Sequence, residues 1–235
     1  MVNTYTIHTR GFRKLIDTFR YFVESPLCPQ ASEPIHIGIW SRIPPIGRII
    51  YNTEQLSRPE MLRVIKNIIK KSNPLEIWDY SLANIHILKN NNILARHVPL
   101  ESPGWYVKEL QSYRKDEQEY DVGFSGWMSP RRLKILNKLK ASGLSVNIVA
   151  NIFGKERDKE LAKCKIILNI HASPEYKIFE SNRCEPWLKA GVRVISENSL
   201  DNDDRCINVK YSDIVKTVQS TLNRKRRYTR RKRRV

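Results

Sequence analysis

Short runs rich in β-branched and aromatic residues alternate along this chain with longer stretches whose apolar positions recur every three or four residues. The first kind predicts strands and the second amphipathic helices. In the first half the predicted strands cover residues 35–40, 48–51, 76–80 and 94–98, with helices between some of them. The clearest helix is predicted over 58–71, where Met61, Leu62, Ile65, Ile68 and Ile69 keep helical spacing and Pro59 stands near the first turn. After Tyr120 the alternation becomes regular. Strands are predicted over 120–124, 145–150, 166–170, 192–196 and 206–209, and helices over 130–141, 155–163, around Glu180 and from Ser212 onward. Ser129 followed by Pro130 is an N-cap with proline at the first helical position, and Gly143 stops the same helix.

This order is the layout of parallel sheets covered on both faces, an α/β fold. Residues 99–119 are polar, with Ser102-Pro103-Gly104 and a charged run from Arg114 to Glu119, and make the best linker. The chain therefore divides into a reduced first domain, 1–118, a second domain, 119–222, and a basic end, 223–235.

Charge changes the picture once it is located. Of the formal +18, nine charges come from the basic residues between Arg224 and Arg234. That segment offers no apolar partner and predicts a disordered, flexible tail. Its charges suit nucleic acid, nuclear import or an anionic membrane surface, and equally a plain solubilising extension. No apolar run is long enough to span a bilayer and the first 25 residues hold charges throughout, so the expectation is a cytoplasmic protein, with a nuclear location open through the basic end. Cys28, Cys164, Cys184 and Cys206 form no C-x-x-C pair, which fits reduced thiols better than a disulfide framework or a zinc site.

The candidate chemistry gathers in the second half. The stretch Lys177–Glu197 reads as a helix with acidic and basic residues at its start, closed by Gly191 and followed by a strand. Ligands of α/β sheets sit at the carboxyl ends of strands and the starts of the helices that follow. Glu180 and Arg183, three apart on one helix face, form either a local ion pair or a shared ligand site. Arg131 and Arg132, in the first turn of a helix, suit phosphate, and Ser125 and Gly126 allow close backbone approach to it. His171 ends a strand at the ligand-binding edge. In the first half Glu54 and Asp79 follow or end strands, and either carboxylate serves as a base if its surroundings raise its pKa, with a turn role as the alternative for Asp79.

The motifs Asp121-Val122-Gly123-Phe124-Ser125-Gly126 leading to Ser129-Pro130-Arg131-Arg132, then Ile167-Leu168-Asn169-Ile170-His171, then the block of Glu180, Arg183, Gly191 and Val194–Glu197 resemble the nucleotide-sugar-binding half of two-domain GT-B type glycosyltransferases. The likeness is to the CgeB/YkvP-like branch and to glycosyltransferase family 1 proteins of giant DNA viruses. Tyr51–Gln55, Trp78–Ser81 with Asn84, and His97-Val98-Pro99 resemble the acceptor half. The resemblance implies two Rossmann-like domains around a cleft. It also implies transfer of a sugar from a nucleotide-diphosphate donor to a hydroxyl of a glycan, protein or lipid, with no cofactor and no obligatory metal, in a host cytoplasm or a virion. Glu180, Glu54 and Asp79 would then be the catalytic carboxylates, with Ser125, Gly126, Arg131, Arg132, His171, Arg183 and Glu185 on the donor. One departure stands out: eight positions beyond Glu180, where an acidic partner is usual, the chain has Leu188, and Pro186 stands where Glu185 would be expected. A non-catalytic binding or scaffold protein of the same fold is the alternative.

Overall fold

The computed structural model describes residues 5–7, 22, 28–38 and 48–232. Two five-stranded sheets, all parallel, follow one another along the chain. The first joins β1 (Tyr5–Ile7), β2 (Ile35–Ile37), β3 (Ile49–Asn52), β4 (Glu76–Asp79) and β5 (Arg96–His97) in sequence order. Helix α1 (Pro59–Ser72) connects β3 to β4, and α2 (Leu82–Lys89) connects β4 to β5. Residues 39 and 40 of the strand predicted over 35–40 lie outside the described residues.

Side chains alternate across this sheet as strand geometry demands. Ile50 and Ile77 pack with Met61, Ile65 and Ile68 of α1, while Ile49, Tyr51 and Trp78 face the other way, onto Tyr80, Val98 and Leu100. The same second layer contains Ile178, from the far half of the chain.

A second helix-rich unit begins inside the predicted linker. Residues 104–112 form α3 (Gly104–Ser112), whose Tyr106 and Leu110 are buried in the core of the second sheet. Trp105, Tyr106, Val107 and Leu110 bunch at one end of a short stretch and give too weak a periodic signal to reveal a helix; the apolar surface that Tyr106 and Leu110 cover supplies the reason for it.

The second sheet contains β6 (Tyr120–Ser125), β7 (Val146–Val149), β8 (Cys164–Asn169), β9 (Arg193–Glu197) and β10 (Ile207–Val209), in the spatial order β10-β9-β8-β6-β7. Its helices are α4 (Pro130–Ala141), α5 (Gly154–Ala162), α6 (Ser181–Lys189) and α7 (Ile214–Lys232). Val122, Phe124, Ile166 and Leu168 face α4 and α7, while Cys164, Ile167 and Val194 face α3, α5 and α6. β7 lies on one side of β6, while β8, β9 and β10 follow one another on its other side, so the order reverses between β6 and β8. At such a reversal the flanking connections leave on opposite faces and open a crevice outside the carboxyl ends of the strands.

Helix α7 departs from expectation. Its backbone continues through the basic segment to Lys232, where the sequence predicts a flexible extension from 223. Ile214, Val218 and Leu222 are packed on the sheet, which nucleates the helix, and arginine and lysine are good enough helix formers to propagate it. Residues 233–235 lie outside the described residues.

Candidate functional site

At the crevice between β6 and β8 two guanidinium groups close on one carboxylate. Arg132, in the first turn of α4, donates from Nε to the carbonyl of Ile170 (2.7 Å), from Nη1 to the carbonyl of Trp127 (2.9 Å) and from Nη2 to Glu180 Oε1 (2.8 Å). Arg183, in the first turn of α6, pairs with Glu180 Oε2 and donates to Asn169 Oδ1 at 3.0 Å. Both guanidiniums stand 5.2 Å from the Phe124 ring centre. Glu180 is the N-cap of α6, where the orphaned N–H groups favour a negative group.

The sequence offered an ion pair or a shared site for Glu180 and Arg183. The ion pair is present, and Arg132 joins it from 48 residues away. Burial pushes the Glu180 carboxyl up, but Arg183 and Arg132 outweigh it and hold the group below the usual carboxylate range. Burial, then the nearby Arg183, push Arg132 down to about 10, so it stays charged at neutral pH. The cluster thus holds one net positive charge. Arg132 keeps only 4% of its side chain exposed against 12% for Arg183, so Arg183 is the cation with room to meet a ligand.

Gly126 shapes the same wall. Its φ is +139°, and a Cβ there would lie 2.8 Å from Arg183 Nη2 and 3.5 Å from Arg132 Nη1. The missing side chain makes space for guanidinium groups. Gly126→Ala should therefore destabilise the fold by about 1–3 kcal/mol, through backbone strain and displacement of a pinned arginine; an unchanged midpoint in urea unfolding would show that Arg183 has room to move. Ser125, just ahead of Gly126, is buried at the end of β6, while Trp127, just after it, is 70% exposed.

Arg131 turns elsewhere. It grips Glu197 at the end of β9 through both terminal nitrogens, donates to the carbonyl of His171 at 3.0 Å and lies 3.7 Å above the Tyr211 ring. Glu197 also accepts the His171 backbone N–H at 3.0 Å. His171 is buried, and its Nε2 lies 3.1 Å from Ser199 Oγ and 3.3 Å from the carbonyl of Asn198. Its Nδ1 is buried with no hydrogen-bond partner among the described residues. Burial lowers its pKa, which leaves the ring neutral at pH 7.

Glu185 lies apart from the arginine cluster. It accepts from the backbone N–H (2.9 Å) and hydroxyl of Ser102 and pairs with Lys189, so it fastens α6 to the segment before α3.

On the other side stands a polar knot built on Asp79. This fully buried carboxylate accepts from Asn52 Nδ2 (2.6 Å), the Ser81 N–H (2.9 Å) and Asn84 Nδ2 (3.0 Å), which gives it the turn role weighed for it. Burial nonetheless pushes its pKa up to about 7. Ser81 caps α2 and donates its hydroxyl to Asp201, a residue of the second half whose other oxygen accepts from the Phe179 N–H. Glu54 has its backbone N–H and carbonyl held by Asn52 and Asn84.

The halves meet along the segment between β8 and α6. Gln55 accepts from the N–H of Ile178, Ser57 bonds Glu175 and Lys177, and Arg58 lies 4.5 Å above the Tyr176 ring. Beside this joint is a cavity of about 850 Å³, lined from the first half by Tyr80, His86 and His97 and from the second by Ser181, Asp201 and Arg205. Phe179 and Ser181, which flank Glu180, both line it, whereas none of the ten residues expected in the site does. Glu185 lines a smaller neighbouring cavity of about 240 Å³ that shares Tyr80, Ser181, Asp203 and Arg205 with the first.

The structure thus brings Gly126, Arg132, Glu180 and Arg183 together and keeps Arg131, Glu185, Asp79 and Glu54 out of that cluster. Asn169, Ser81 and Glu197 stood within the motifs of the resemblance but were given no role of their own, and Asp201 was not noticed. Asn169, Ser81 and Glu197 are polar residues at or just past the ends of buried strands, and that was the available signal. Among the described residues no group of three or more histidine, cysteine or acidic side chains is arranged to hold a metal, and no helix is long and apolar enough to cross a membrane.

No protein-family model matches the chain. It is 37% identical over 172 residues to Uncharacterized protein L140 of Acanthamoeba polyphaga mimivirus, which takes in 72% of this chain and 54% of that protein. Two more proteins of the same virus are similar. Uncharacterized protein L138 is 33% identical over 75% of this chain and 20% of its own length, and Uncharacterized protein L137 is 32% identical over 72% and 24%. The kinship is viral. The chain spans about half the length of the first of these relatives and about a quarter or less of the other two.

Proposed function

We propose that the chain is a GT-B type glycosyltransferase, or the transferase portion of a longer one, that moves a sugar from a nucleotide-diphosphate donor to a hydroxyl acceptor without a metal. The reading is carried by one observation: the reversal of strand order between β6 and β8 lies where Gly126, Arg132, Arg183 and the start of α6 converge. The diphosphate belongs at that crevice. Cleavage of the bond to the donor sugar leaves negative charge on the departing phosphate, and preorganised cations and helix-start N–H groups lower the barrier to that charge. Arg183 is the phosphate contact. Arg132 and Glu180 are positioning residues, since both Glu180 oxygens hold arginines. The acceptor belongs in the 850 Å³ cavity, where Asp201, raised in pKa by burial and lowered less by Ser81, faces the space that Asp79 does not reach.

Donor hydrolysis and product formation from a panel of UDP- and GDP-sugars test this reading, alongside thermal shift with the same nucleotides. A donor at about 100 times its Kd should stabilise the fold by about 2.7 kcal/mol. Arg183→Gln leaves one balanced ion pair at Glu180 and should weaken the donor about 10- to 100-fold, the worth of a charge-assisted hydrogen bond. No stabilisation by any nucleotide, together with no hydrolysis, would reject the proposal. Binding without turnover would favour a non-catalytic module, a reading encouraged by the pairing of Arg131 with Glu197, of Arg132 and Arg183 with Glu180, and of Lys189 with Glu185.

A further inference from the structure

Helices α4 and α7, which share one core, contain no carboxylate of their own. Neither the twelve residues of α4 nor the nineteen of α7 include an aspartate or glutamate. Lys134, Lys138 and Lys140 of α4 and Lys216 of α7 are exposed, and none of them has an acidic partner among the described residues.

The two helices run the same way. Both follow a strand of the parallel sheet and lead back from its carboxyl edge, and their starts are tied together: the Tyr211 hydroxyl, just ahead of α7, donates to the carbonyl of Arg131 at 2.7 Å, and the Arg131 guanidinium covers the Tyr211 ring. Their apolar sides share one core, with Ile135, Leu136 and Leu139 against Ile214, Val218 and Leu222. Starting level and advancing at about 1.5 Å per residue, α4 ends beside the Leu222 turn of α7, and α7 projects roughly 14 Å further, to Lys232. The lysines in the last turn of α4 therefore stand where the basic stretch of α7 leaves the domain.

The geometry points to this α4–α7 face as a binding surface for the phosphate backbone of a nucleic acid, a property separate from sugar transfer. Two features favour nucleic acid over an anionic membrane. At about 100° per residue, the basic positions 224–227 and 230–232 go all the way round the helix axis. A helix lying in a groove meets phosphates on both flanks, whereas one lying on a bilayer turns half its circumference to water. The apolar stripe of α7, moreover, is used up in the core by Leu222, and between 224 and 232 only Tyr228 offers a ring to insert into lipid. Seven of the nine basic residues between 224 and 234 are arginine, the side chain whose planar fork matches phosphate.

Fluorescence anisotropy of the full chain with a labelled 20-base-pair DNA and the matching RNA duplex, between 50 and 200 mM salt, tests the inference. Release of counterions from about six phosphates should weaken binding roughly 10³-fold over that range. The triple variant Lys134→Gln, Lys138→Gln, Lys140→Gln should flatten the slope of log K against log salt by up to about three units, and Arg224→Gln, Arg226→Gln, Arg227→Gln by a similar amount. Vesicles of phosphatidylcholine with phosphatidylserine are the competing probe. Capture by vesicles with no nucleic-acid binding at 50 mM salt would overturn the inference, as would a slope that the α4 lysines leave unchanged. None of these readouts involves a nucleotide sugar, so their failure is distinct from failure of the proposed reaction.

Discussion

Replacing Glu180 by alanine should destabilise the fold by about 3–5 kcal/mol, because it strands two guanidiniums that the chain has already taken out of water. Arg132 and Arg183 keep only 4% and 12% of their side chains exposed, and both address the same carboxylate. Without it their charges stand together beside Gly126 with no carboxylate between them. The wild-type pairing is itself a weaker argument for stability than this loss suggests, since the cost of burying the three charges offsets much of their attraction. Urea unfolding gives the measurement, with a lower midpoint and an unchanged slope expected. Pyrophosphate should raise the melting temperature of Glu180→Ala more than that of the wild type, since an anion could then occupy the place of the lost carboxylate. If the variant unfolds with the wild type and ignores pyrophosphate, the cluster is neither a charge-balanced core nor a phosphate site.

The local half of this picture was legible in the sequence. Ser129 and Pro130 announced the start of α4, and the Ser129 hydroxyl does accept the N–H of Arg132 at 3.3 Å. The three-residue step from Glu180 to Arg183 allowed an ion pair or a shared ligand site, because helical spacing puts them on one face, and the ion pair is what forms. The partners that decide each role come from far along the chain and carry no spacing signal. Glu197, which holds Arg131, is 66 residues away, and Ser102, which holds Glu185, is 83 residues away. A pattern of types can nominate charged residues at strand ends; only the packing of the sheet decides which of them neutralise one another. Helix α3 was illegible for a related reason, as its two buried residues acquire meaning only against the core that they cover.

Asp79 should make the protein less stable as pH rises from 5 to 8, opposite in sign to an ordinary paired carboxylate. Its carboxyl is raised from 3.8 to about 7, chiefly by burial, against the pull of the three donors from Asn52, Ser81 and Asn84. Below about pH 4 folded and unfolded chains both hold the proton. Above that the unfolded chain releases it while the folded one keeps it to about 7, so unfolding gains steadily across the window and no further beyond it. The full gap corresponds to roughly 4 kcal/mol, of which about 3 kcal/mol falls between pH 5 and 8. Lowering of the His171 pKa by burial works the other way near pH 6, so the wild-type curve alone does not isolate the effect. Asp79→Asn does: it keeps the size of the side chain and an acceptor for the Ser81 N–H but cannot ionise. The difference in unfolding free energy between wild type and variant should shrink or reverse by about 3 kcal/mol from pH 5 to pH 8. Parallel curves would mean that the three donors hold Asp79 ionised throughout. In that case the negative charge beside Ser81 and Asp201 is permanent, and under the proposed reaction Asp201 would have to accept a proton against that charge.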